Sequence, residues 1–296
     1  MTRRRHILLF ASAALLFAAS CVDNENGDNA QDPLDPYEGG VVEDLDCTPA
    51  LDGRIDADQL QPAIGVPVNY RVSPSGDERP VNLAGYEDQF GVRVWDFSAT
   101  DDDYAGDQSL EIAATELDEQ WYADEFPDAE FSVILDPTLA LDALYSHDGD
   151  TLYLHGYASA EEAPEIGKTL VAYEEPIVAY DFPLQEGDSW SGVGEVQDGR
   201  VRDLPYTGTE TYEFEVDATG ELWLPDLTFE KVLRVRTHLT IEMPIGNPTY
   251  RQQVQFLFEC FGEVTRLVGP DMELDEETER QDYQFDTAVE MRRLGF

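Results

Sequence analysis

Lys231–Met243 reads KVLRVRTHLTIEM, and the alternation in it decides the fold class. Leu233, Val235, Leu239 and Ile241 alternate with Arg234, Arg236, His238 and Glu242. A period of two sustained over that length describes a strand with one face in a core and the other in water. Working outward, TYEFEV sets Tyr212, Phe214 and Val216 against Glu213 and Glu215, and VQFLF puts Val254, Phe256 and Phe258 on one face. Upstream, LYSHDGDTLYLHGY (144–157) has the pattern of a hairpin, with Asp148-Gly149 supplying the positive-φ turn. Pro183, Gly187, Pro205, Gly220 and Pro225 punctuate the remainder, and long helical patterns are missing. DADQLQPAIG (56–65) and DMELDEETERQ (271–281) can each form a short helix or a loop. The expected body is all-β or strongly β-rich and antiparallel, a meander, half-barrel or sandwich. YEEPIVAY (173–180) offers a seam between an N-terminal half, 47–175, and a C-terminal half, 176–296; one continuous domain is the alternative.

The N-terminal region has a different logic. Arg3, Arg4 and Arg5 precede a short apolar run from Ile7 to Ala19, too short for a bilayer-spanning helix and laid out like a secretory signal peptide. Ala18, Ala19 and Ser20 then lead into Cys21. This resembles a bacterial lipobox, with Ala18 where leucine is usual, and implies that residues 1–20 are removed and the Cys21 thiol is acylated. Several acyl chains on one cysteine give stable anchoring, because each buried methylene adds about 0.8 kcal/mol. Val22 stands where an aspartate would signal retention at the inner membrane, so the expected location is the outer membrane. Residues 22–46 carry nine acids, no Lys or Arg, and one aromatic. Such a segment cannot bury enough apolar surface to offset chain entropy, so it reads as a disordered tether with a reach of about 25–30 Å.

The whole chain carries a formal charge of −45, and loss of the three arginines with the signal makes it −48. Lys168 and Lys231 are the only lysines. Such a surface repels nucleic acid and anionic headgroups, which excludes phosphate-driven binding. The acids spread along the entire chain, which points to a saline habitat rather than to a dedicated cation collector. With Cys21 acylated, Cys47 and Cys260 remain as an even pair in an oxidising compartment, and a disulfide between them is expected.

VWDFSA (94–99), YADEFPDAEF (122–131), LYLHGY (152–157), YDFPLQEGDSW (180–190), GELWLPDLTFEKVLRVR (220–236) and CFGEVTRL (260–267) follow one another along the chain. These landmarks resemble those of uncharacterised bacterial exported proteins and lipoproteins, over most of residues 50–270. The second half is also similar to half-barrel domains of lipoprotein-carrier type. The resemblance implies export and β architecture, and supplies no catalytic residues.

Chemistry is sparse. Gly167-Lys168-Thr169 looks like the tail of a phosphate loop, but Glu162 stands where its first glycine must be. There is no H-E-x-x-H and no G-x-S-x-G. His147 and His155 flank the expected hairpin, several residues apart in register, and read as solvated rather than as metal ligands. In ATDDDYAGD (99–107) an EF-hand starting at Asp101 would need an oxygen ligand at Ala105 and a glutamate at Ile112. Any calcium site there is a looser one, and no other cofactor or metal is expected. Among 63 acids, carboxylate pairs are inevitable and carry no signal. Arg234, Arg236 and Arg251 could receive an anion, but cross-strand pairing with Glu213, Glu215 or Glu242 is the simpler expectation.

The expected function is a non-enzymatic surface or interaction module, held to the membrane by its lipid and engaging an unknown protein. One alternative is a carrier of an apolar, lipid-like ligand, with Leu233, Val235, Phe256 and Phe258 lining its pocket. The other is an extracytoplasmic hydrolase, with a cleft of perturbed carboxylates.

Overall fold

Thirteen strands succeed one another in one sheet of the computed structural model, which describes residues 47–101, 104–273 and 284–295. The expected signal peptide, Cys21 and the acidic tether lie outside the described residues. In chain order the strands are β1 (Val68–Val72), β2 (Gln108–Ile112), β3 (Thr115–Glu116), β4 (Phe131–Asp136), β5 (Leu141–Asp148), β6 (Thr151–Ser159) and β7 (Leu170–Asp181). They continue as β8 (Ser189–Val201), β9 (Leu204–Trp223), β10 (Thr228–Glu242), β11 (Thr249–Phe258), β12 (Gly262–Val268) and β13 (Glu290–Leu294). From β4 to β12 sequence neighbours pair antiparallel, so most of the sheet is a meander; β1, β2 and β13 add to the β12 side. The body is strongly β-rich, with short 3-10 turns in place of helices. DADQLQPAIG holds one of them, Ala57–Gln59, closed by a capping box between Asp56 and Gln59.

The hairpin read from LYSHDGDTLYLHGY is β5–β6, with Thr151 opposite Asp148 and Gly149 at φ 59°. No domain boundary falls at residues 173–180. They lie inside the twelve-residue β7, which pairs with β6 on one side and β8 on the other. Apart from Met272–Glu273, which pairs with β11, the stretch 271–281 lies largely outside the described residues.

One expectation needs correcting. The apolar face of β10 is in a core, but the face carrying Arg234 is not in water: Val232 and Arg234 are as buried as Leu233 and Val235. The reason is a long-range strand. Arg93–Asp96 pairs in parallel with Glu221–Trp223 of β9 and lays Trp95 and Phe97 across that second face. A side chain at Gly220 would run into the Arg93 carbonyl and the Trp95 ring, so this crossing requires glycine. The sheet therefore has a core on each side here. One contains Val232, Val254, Phe256 and Phe258 with Trp95 and Phe97; the other contains Leu233, Val235 and Leu257 with Ile55, Phe182 and Leu184.

The two outermost strands of the sheet, β2 and β3, are joined by only Ala113-Ala114. A sheet whose ends are two residues apart must curl round on itself. Arg292 of β13 and Arg266 of β12 reach across the gap to the Leu135 carbonyl of β4, and Arg292 also binds the Ile134 carbonyl at 3.1 Å. Cys47 and Cys260 are joined by a disulfide, with their Cα atoms 5.6 Å apart, and the Cys260 N–H donates to Gln59.

Candidate functional site

A broad groove lies on three long strands. In their register Ser189 opposes Glu215, which opposes Arg236, and Ser191 opposes Glu213, which opposes His238. Period two puts these six side chains on one face. Together with the backbone between them they line a groove of about 510 Å³. Trp190 and Phe214 project to the other face, where their rings stack at 5.1 Å and form the floor from behind. The Trp190 indole N–H is fixed by the Val178 carbonyl at 3.1 Å.

Asp217 organises the positive charge at the rim. It sits in the bulge between Val216 and Ala218, where the extra residue re-aims its side chain. Arg234 grips it with two bonds of 2.7 Å, and Arg236 Nε lies 2.7 Å from Oδ2. Arg251 pairs with Asp271, Nη2 to Oδ2 at 2.8 Å. The arginines singled out in the sequence are thus paired, but with two aspartates rather than with Glu213, Glu215 or Glu242. Arg234 also donates to the Leu83 carbonyl beneath Trp95, which makes it a core residue. His238 Nε2 lies 2.8 Å from the Gln252 amide.

Leu233, Val235, Phe256 and Phe258 do not share a pocket. Arg234 opposes Phe256 and Leu233 opposes Leu257, so the two phenylalanines lie on the opposite face from Leu233 and Val235. All four are packed in the cores just described. His147 and His155 do not converge either: His155 bonds Ser146 Oγ at 2.7 Å, whereas the His147 ring tilts against Phe182. In the acidic stretch 99–107, of which residues 102 and 103 lie outside the described residues, three oxygen-bearing groups serve guanidinium groups. Asp107 pairs with Arg79 and Arg293, and the carbonyls of Ala99 and Ala105 accept from the same two arginines. Among the described residues no group of three or more His, Cys, Asp or Glu is placed to hold a metal ion.

Two arrangements carried no sequence signal. Glu210 is fully buried: Oε1 accepts from Tyr157 at 2.8 Å and Tyr206 at 2.9 Å, and Oε2 from Tyr173 at 2.7 Å and Tyr212 at 3.3 Å. Burial, then the Glu210 charge, pushes the Tyr157, Tyr206 and Tyr212 hydroxyls up, so they remain donors. Tyr206, Glu210 and Tyr212 share β9, whereas Tyr157 and Tyr173 arrive from other strands.

The second is a cleft of about 270 Å³ at the closing gap of the sheet. Thr115 opposes Ser132, and Ile134 opposes Asp142, so one face of β3, β4 and β5 supplies all four. Buried Tyr122 donates to Asp142 Oδ2 at 2.9 Å and lies 3.2 Å from Ser132 Oγ. Burial raises the Asp142 carboxyl above its ordinary range, and the Tyr122 bond only partly offsets that.

The chain matches no protein-family model, no curated protein and no solved structure.

Proposed function

We propose that this chain is a lipid-anchored protein of the cell envelope, acylated at Cys21, that works as a non-enzymatic interaction module through the groove on β8, β9 and β10. The observation that supports this reading most is the composition of that groove. Two hydroxyls, two carboxylates and an imidazole stand on one face, and its one guanidinium is drawn to Asp217, which it shares with Arg234. Such a surface offers hydrogen bonds of both senses and a net negative field, which suits a polar, basic segment of a partner protein. The charge of the whole chain would speed that encounter and make it salt-dependent.

The test has two parts. Proteins crosslinked to the chain in envelope extracts should be lost from a Glu213→Lys/Glu215→Lys variant that melts as the parent does; retention of the same proteins would refute the groove. A Cys21→Ser chain should leave the membrane fraction, and continued partition with membranes would refute the anchor.

A further inference from the structure

We propose that the cleft at the closing gap of the sheet is a binding site for a small organic ammonium ion, with Asp142 as its counter-ion. The argument starts from an incomplete hydrogen-bond set. Tyr122 has one proton and gives it to Asp142 Oδ2, so the Ser132 hydroxyl is left to donate to the tyrosine oxygen. This chain of bonds holds Asp142 as an acceptor. Its other oxygen, Oδ1, has no protein donor, although the residue is nine-tenths buried and lines the cleft. The carboxylate is largely withdrawn from water, and Oδ1 opens on the cleft, where a cation can reach it. An ammonium group entering the cleft would donate to that oxygen and bring a charge opposite to that of Asp142.

The rest of the lining narrows the ligand. Glu111 adds a second carboxylate, and Thr115 and Gln120 add neutral polar groups. No Lys or Arg lines the cleft, so nothing there would receive a phosphate or carboxylate. Pro67 and Ile134 give apolar wall, which suits methylene groups and has no use for a bare metal ion. Two carboxylates and apolar wall in one cleft describe a short alkyl diammonium better than a sugar. The raised Asp142 carboxyl fits the same picture, because a group that resists ionisation when the cleft is empty becomes ionised when a cation arrives.

Putrescine is the probe, titrated calorimetrically into the full chain at neutral pH and on the order of 0.15 M NaCl, where surface charge is largely screened. 1,4-Butanediol, of the same length and neutral, and CaCl2 are titrated alongside. Putrescine should bind at one site and the diol should not. Asp142→Asn keeps an acceptor for Tyr122 and removes the charge, and should weaken binding at least about tenfold, equivalent to ~1.4 kcal/mol. Thr115→Trp, which blocks the cleft from an exposed position without touching the carboxyl, should do the same. Diamine binding that survives both substitutions would be condensation on the acidic surface and would overturn the proposal. So would equal binding of the diol, displacement of putrescine by micromolar calcium, or no saturable heat at millimolar putrescine.

Discussion

Asp142 makes the stability of the fold depend on pH with a predictable sign. Its carboxyl is raised by burial in the folded state, so the folded chain holds more protons than the unfolded one above the ordinary carboxylate range. The stability it contributes is complete at acid pH and is lost as pH climbs through the raised value. Asp142→Asn should therefore raise the melting temperature at neutral pH and leave it unchanged in acid; equal effects at both would show that the group is not perturbed. Removing Glu210 should instead cost stability. Replacing it with Ala removes the acceptor of Tyr157 and Tyr206 while Tyr173 and Tyr212 keep each other at 2.9 Å. Each orphaned hydroxyl costs about 1–3 kcal/mol, so urea unfolding should show a loss of about 2–6 kcal/mol with an unchanged denaturant slope. At this scale the sequence was nearly silent. Both acids look like the other 61, and what distinguishes them is the partners that distant strands deliver.

At the scale of the element, alternation was a sound guide to strands and a poor guide to solvent. The alternation of KVLRVRTHLTIEM is realised in β10 from Leu233 to Glu242, yet the Arg234 end of its polar face is covered. Nothing local announces that Arg93–Asp96 will arrive in parallel from well over a hundred residues upstream, and parallel pairing across such a separation leaves no periodicity of its own. The four residues assigned to one pocket failed for a related reason. Leu233 and Phe256 are each inward-facing in isolation, and only the register between β10 and β11 reveals that their inward directions are opposite. The covered face makes Asp217 a keystone of this region. It is the shared carboxylate of Arg234 and Arg236, and Arg234 has almost no access to water. Asp217→Ala should cost about 3–5 kcal/mol, the range for an unpaired buried charge. An Arg234→Met/Asp217→Ala chain should recover most of it, since thioether and methyl groups need no partner there. If the double variant is less stable than Asp217→Ala alone, Arg234 matters for its bond to Leu83 rather than for its charge.

The whole molecule sorts its charge by sign. Among the described residues Arg79, Arg234, Arg266, Arg292 and Arg293 are buried, where they bond backbone carbonyls and a few acids, whereas most carboxylates remain at the surface. Composition showed the excess of acid but not this segregation, because which arginines turn inward depends on where the curled sheet needs its gap bridged. The consequence is that the surface of the described residues is more negative than their composition alone suggests. Self-repulsion in such a shell opposes compaction, and added salt shortens its range from about 10 Å at 0.1 M to about 3 Å at 1 M. The inward arginine pairs are shielded from the same ions by burial. Salt should therefore relieve repulsion without weakening the internal bonds, and the melting temperature should climb steadily with NaCl up to about 1 M. A protein held together by exposed ion pairs would lose stability over that range. A melting temperature that is flat or falling in NaCl would mean that the surface acids are compensated in the fold, and it would remove the physical basis for reading this composition as adaptation to a saline habitat.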